Sequence, residues 1–121
     1  MTTPATGWTP EQLRILHDVA EIRIAPADGA SPGRLIWVLE LDGHVVVRSW
    51  KGPDKIWYRD VVHAGGATIE GDGIATTVRV RAAPEFDEAA DAEFLRKYGE
   101  PYATEMTLPL ARQTTLELLI G

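Results

Sequence analysis

Asp42-Gly43 lies between two runs of alternating apolar and polar residues, and no other dipeptide constrains this chain as much. Both positions tolerate positive φ, which a two-residue hairpin turn requires, and the twist of such a turn matches that of the strands it joins. Before the turn, residues 34–41 put Leu35, Trp37, Leu39 and Leu41 on one face and Arg34, Ile36, Val38 and Glu40 on the other. After it, residues 44–50 return as the antiparallel partner.

The rest of the chain assembles around this hairpin. Glu21-Ile22-Arg23-Ile24-Ala25 alternates as a short strand, and residues 26–33 are all turn formers. Residues 67–70 and 74–82 make a second hairpin about Gly71-Asp72-Gly73, and residues 114–120 read as a last strand. Three stretches have helical period. Residues 10–20 carry Thr9 as N-cap, Pro10 at the first position and an apolar side of Leu13, Ile15, Leu16 and Val19. Residues 55–64 turn Trp57, Tyr58, Val61 and Val62 inward and stop at Gly65-Gly66. Residues 87–98 stack Ala90, Phe94 and Tyr98, place Glu93 four residues before Lys97, and end at Gly99. The stretch around Pro101 and Pro109 reads as irregular.

Six strands and three helices give an α+β, mainly β class. A six-stranded antiparallel barrel is favoured because it leaves no long open edge, with an open sheet as the alternative. Residues 1–7 read as a loose tail and residues 8–121 as one domain, the usual size for a chain of 121 residues. The outer strand faces keep Ile36, Val38, Val46 and Trp50 among Arg34 and Arg48, more than the helices can cover. A partner surface is therefore expected, most simply a homodimer.

Charge and composition exclude several functions. Twelve basic against 18 acidic residues leave a net charge of −6, against the dense basic footprint of a nucleic-acid binder. The absence of cysteine removes disulfides, thiolate metal sites and a cysteine nucleophile. No apolar run is long enough to span a bilayer, and the N-terminus lacks signal-peptide character, so a cytoplasmic protein is expected. His17, His44 and His63 show no ligand spacing, and no metal site is expected. Serine-hydrolase, Walker and Rossmann motifs are missing.

One segment stands out. Residues 47–59 gather Arg48, Ser49, Lys51, Lys55 and Arg59 around a strand–loop–helix junction, with Trp50 and Trp57 beside them. Helix N-termini expose free amide donors, and cationic donors with a hydroxyl make such a junction fit for phosphate. The tryptophans offer faces for a planar ring. A plainer reading has Lys51 and Lys55 in solvent and Arg48 paired with an acidic side chain. Likewise Arg79 and Arg81 either pair with Glu85, Asp87 and Glu88 or line a cleft, and Tyr98 and Tyr102 are either core anchors or pocket donors.

The run Val47-Arg48-Ser49-Trp50-Lys51-Gly52 with Trp57-Tyr58-Arg59 resembles the signature of an uncharacterised bacterial family. Trp8-Thr9, Trp37-Val38, Arg96-Lys97-Tyr98-Gly99 and residues 112–116 extend the resemblance over about residues 8–119. That family is similar to the flavin-binding split β-barrels, the superfamily of pyridoxamine phosphate oxidase and the deazaflavin-dependent nitroreductases. The resemblance implies a six-stranded split barrel and a homodimer with flavin at its interface. It assigns phosphate contacts to Arg48, Ser49, Lys51 and Arg59, and ring contacts to Trp50 or Trp57. The Ser-Arg-Lys run of the oxidases and the Gly-Arg-Lys-Ser-Gly loop of the deazaflavin reductases are both replaced here, by Lys51-Gly52-Pro53-Asp54-Lys55.

Three functions follow as expectations. The first is an oxidoreductase using flavin mononucleotide (FMN) or deazaflavin on a small organic molecule, with the cofactor carrying the hydride. The second is a cofactor-free pocket protein, binder or enzyme, using the same cleft. The third is an interaction module with no ligand.

Overall fold

The computed structural model describes residues 6–121, so most of the expected N-terminal tail lies outside the described residues. The chain runs α1 (Pro10–Asp18), β1 (Ile22–Pro26), β2 (Arg34–Ile36), β3 (Leu39–Leu41), β4 (His44–Val47), α2 (Ile56–Ala64), β5 (Gly66–Gly71) and β6 (Ile74–Ala82). A 3-10 turn at Pro84–Phe86 leads into α3 (Asp87–Tyr98); a second 3-10 segment (Tyr102–Thr107), α4 (Pro109–Arg112) and β7 (Leu116–Ile120) complete it.

All pairings are antiparallel and form one sheet in the order β2-β1-β5-β6-β7-β4-β3. The two edge strands, β2 and β3, are consecutive in the chain, with only Trp37 and Val38 between them. Six inter-strand spacings would put the edges of a flat sheet about 29 Å apart. Three peptide steps, from Ile36 to Leu39, reach only about 11 Å. The sheet therefore has to curl strongly, into a half-barrel that brings its two edges to one corner.

This corner corrects the strand count. Residues 34–41 form two strands of three residues each, giving seven strands where six were expected. Ile36 pairs with Ile22 of β1, while Leu39 pairs with Val46 of β4. The alternation of apolar residues continues through the break, so periodicity alone does not reveal it.

Other expectations hold closely. Thr9 caps α1 in a reciprocal capping box with Gln12, and Pro10 is its first residue. Asp42 and Gly43 have φ of 48° and 90°, and Asp72 and Gly73 have 45° and 87°, so both hairpins turn on a positive-φ pair. α3 covers Asp87–Tyr98 as expected, but Glu93 binds Arg96 and leaves Lys97 to other partners. The stretch read as irregular contains the second 3-10 segment and α4. Thr6, assigned to the tail, is buried; its hydroxyl donates to the Gly43 carbonyl and its carbonyl accepts from Ile120 N–H.

The sheet buries residues on both faces. One face, with Ile22, Ile24, Val45, Val47, Ile69 and Leu118, packs with Leu16 of α1 and with Trp57 and Val61 of α2. The other, with Leu39 and Val46, packs under Ala90 and Phe94 of α3 and under Ala103, Met106 and Ala111. Ile36, Val38 and Val46 are thus buried within the chain, contrary to the outward positions expected for them. Ile36 and Val38 join the core under α1 and α2, while Val46 is covered by α3, the 3-10 segment and α4. Among the described residues, no helix is long and apolar enough to cross a membrane.

Candidate functional site

A cavity of about 600 Å3 opens beside the β2–β3 corner, between the loop after β4 and the segment before α4. Its size is that of a pocket for a small organic ligand. Three tryptophans from three separate elements line it.

Trp37 occupies the break itself. Its ring stacks on Tyr98 of α3, with centroids 3.9 Å apart and planes 3° from parallel. The Tyr98 hydroxyl donates to Ala20 O at 2.6 Å and accepts from Val38 N–H at 3.2 Å. Lys97 Nζ donates to Val38 O at 2.7 Å and to Leu16 O at 3.1 Å. A strand break leaves backbone groups without ladder partners, and here α3 supplies them. Burial pushes the Tyr98 hydroxyl up to about 12 and the Lys97 ammonium down to about 8.

Trp50 is carried by a tight turn. Gly52 N–H donates to Ser49 O at 3.0 Å, and the Ser49 hydroxyl donates to Gly52 O at 2.6 Å. Lys51 sits at the third position of this turn with φ of 70°. Its ammonium lies 4.4 Å from the centre of the Trp50 ring, and the Trp50 indole N–H donates to Glu105. Trp57, in the first turn of α2, is buried and meets Tyr58 edge-on at 5.9 Å. Tyr102 and Met106 of the 3-10 segment close the remaining side.

Arg48 meets this wall from behind, since its side chain has no exposed surface. Its guanidinium makes four hydrogen bonds: to Thr115 Oγ1 at 2.9 Å, Asp91 Oδ1 at 2.6 Å, Met106 O at 2.7 Å and Asp87 O at 3.0 Å. Arg112 holds the other Asp91 oxygen at 3.0 Å. The plainer reading of Arg48, paired with acidic side chains, is the arrangement in this structure. Arg81 likewise pairs with Glu85, while Asp87 faces Arg48.

Of the residues the resemblance assigns to a cofactor, the cavity thus gathers Trp50 and Trp57, with Arg48 in its wall. Ser49 is fully buried in its own turn, and Lys51 and Arg59 are exposed outside the cavity lining. Trp37, Arg34 and Tyr102 come in from elsewhere in the chain. Strand alternation places Trp37 with Leu39 and Leu41, and the structure packs it in their cluster while it also lines the cavity.

Residues 12–118 match a family described as an uncharacterized protein conserved in bacteria, DUF2255. The chain belongs to DUF2255. No curated protein sequence matches it. The match takes in both hairpins, α2 and α3, α1 from Gln12 onward, and every tryptophan of the cavity. The resemblance to an uncharacterised bacterial family is thereby established for this DUF2255 chain.

A second polar cluster lies on β7, where the buried Glu117 carboxylate accepts from His44 Nδ1 at 2.6 Å and from Arg81 Nε at 2.9 Å. Among the described residues, no group of three or more His, Asp or Glu side chains is placed to hold a metal ion.

Proposed function

We propose that this chain binds a planar aromatic small molecule in the tryptophan-lined cavity, without needing a resident cofactor. The observation that carries this is the convergence of Trp37, Trp50 and Trp57 on one opening of ligand size. Aromatic side chains stack on planar rings, and a rigid tryptophan wall loses little entropy when it does so. Trp37 is held by the Tyr98 stack and Trp50 by Glu105, so the wall is organised before any ligand arrives.

The cofactor-dependent oxidoreductase is the second reading, supported by the same ring-stacking wall. FMN or deazaflavin would supply hydride chemistry. The phosphate set implied by the resemblance does not fit, because Arg48 and Ser49 spend their donors inside the chain and Lys51 and Arg59 lie outside the cavity. A split barrel, finer than the half-barrel described, is supported by the way residues 34–41 serve both sheet edges. A homodimer is supported by Leu35, Trp50 and Tyr102, which are large, exposed and apolar at the cavity mouth.

The test is an absorption spectrum of the purified protein, followed by separate titrations with FMN, deazaflavin and 4-nitrobenzyl alcohol while tryptophan emission is followed. Quenching by the nitroaromatic in colourless protein is the expected result. A bound flavin band would install the oxidoreductase reading instead, and silence toward all three would leave the cavity without a binding role. Light scattering on the same sample reads the dimer.

A further inference from the structure

Every lysine and arginine of the chain lies in the described residues, and most have protein partners. Arg14, Arg48, Arg81, Arg96 and Arg112 are bound to carboxylates, while Arg23 and Lys97 are bound to backbone carbonyls. Among the described residues, Arg34, Lys51, Lys55, Arg59 and Arg79 show no ion pair or hydrogen bond from their charged ends. Two of those five, Arg34 and Lys55, line the cavity. An unpaired guanidinium and an unpaired ammonium beside an aromatic wall favour an anion, since charge-assisted bonds strengthen when a bound ring displaces water from that wall.

Two carboxylates also line the cavity and keep their charge, but neither is paired with Arg34 or Lys55; Glu105 is held at the Trp50 indole N–H. Glu21 precedes Ile22, which pairs with Ile36, so it stands level with Trp37; Arg34 pairs with Ile24, three residues along the strand. That separation is about 10 Å. The cavity therefore has a carboxylate end near the strand break and a guanidinium some way from it.

We infer that Arg34 and Lys55 are the anion-recognising residues of this cavity, and that its ligand is an aromatic compound bearing a carboxylate or a phosphate monoester. This rests on the binding role proposed above and deepens it to a ligand class. It also relocates the anion contacts away from the Arg48-Ser49-Lys51 run to which the sequence points.

Three probes with one ring separate the possibilities: 4-nitrobenzoate, 4-nitrophenyl phosphate and the neutral 4-nitrobenzyl alcohol, each titrated calorimetrically. At least one anion is expected to bind about tenfold or more tightly than the alcohol. The anion that binds more tightly identifies the group. Arg34→Gln and Lys55→Gln, singly and together, are expected to bring anion affinity down toward that of the alcohol while leaving alcohol affinity unchanged. Both residues lie at the surface, so folding is not at stake, and Arg59→Gln, outside the cavity, serves as the control for long-range charge. Equal binding of all three probes, or a preference that survives the double substitution, overturns the inference and leaves the cavity reading standing. Failure of all three to bind at millimolar concentration overturns both.

Discussion

Replacing Arg48 by Met tests the claim that this arginine builds the cavity wall and does not face a ligand. The side chain is fully buried, and four hydrogen bonds tie it to α3, to the 3-10 segment and to the start of β7. Met fills much of the volume but returns none of the bonds. The carbonyls of Met106 and Asp87 lose a donor, and Asp91 and Asp87 lose their buried counter-charge. Breaking a buried pair from one side costs about 3–5 kcal/mol. The lower end applies here, because the Asp91 and Asp87 side chains are 27% and 21% exposed and Asp91 keeps Arg112. At about 2.1 cal/mol/K per residue, a chain of 121 residues unfolds with an entropy of about 250 cal/mol/K. A loss of about 3 kcal/mol then lowers Tm by about 12 °C. Thermal unfolding followed by far-ultraviolet circular dichroism, without ligand, measures this directly. Arg59→Met, on an exposed and unpaired residue, is the control and shifts Tm by about 2 °C or less. An Arg48→Met protein that melts within about 3 °C of the parent would refute the reasoning, since a ligand-facing arginine costs little to remove from the unliganded fold.

The remaining expectations concern pH and backbone geometry. Burial holds Lys97 at about 8 against 10.5 for a free lysine, so between these values the unfolded chain keeps a proton that the folded chain has released. Stability from this group therefore rises with pH from about 8 to about 10, and Lys97→Met removes that rise from a series of urea midpoints. Tyr98, pushed up to about 12, acts in the opposite sense above pH 10, where the folded state retains the proton that the unfolded state loses. Gly33 has φ of 88°, and a Cβ there would stand 2.4 Å from Ile24 O. Gly33→Ala is expected to cost about 2 kcal/mol or more, whereas Gly29→Ala, with φ of 73° and open space around it, costs only the left-handed backbone strain of about 1 kcal/mol. Urea unfolding of the two variants under one condition compares them, and equal losses would rule out the steric account.

Local signals carried the local structure. Thr9 and Pro10 started α1 where expected, the Asp-Gly pairs placed both hairpins, and Gly65 and Gly99 ended their helices. Each of these rests on a residue whose backbone preference acts within four positions. What the sequence concealed depends on distant partners. Residues 34–41 read as one strand because alternation describes faces and not neighbours, while the break follows from which edge each half joins. The spacing makes Lys97 an ion-pair partner of Glu93, four residues away. The structure uses it on Val38 and Leu16, some sixty and eighty residues upstream. The tryptophans of the 47–59 run were legible as ring platforms by composition. Arg34 and Trp37 were not, because only the curl of the sheet brings β2 to that run.

The shared segment 34–41 also limits how this fold can vary in length. Its first half is in register with β1 and its second half with β4. An insertion or deletion of one residue at Trp37-Val38 would have to be taken up within this two-residue link, where Tyr98 and Lys97 hold both backbone groups of Val38. Otherwise it would shift one edge by a residue and turn its side chains to the wrong face. A loop absorbs such a change, but a segment clamped at both ends has nowhere to put it. Relatives of this chain should therefore gain and lose residues in the turn-rich 27–33 loop, which faces no such double constraint, and keep the spacing from Arg34 to Leu41 fixed. The same corner that curls the sheet thus acts as a ruler on its evolution.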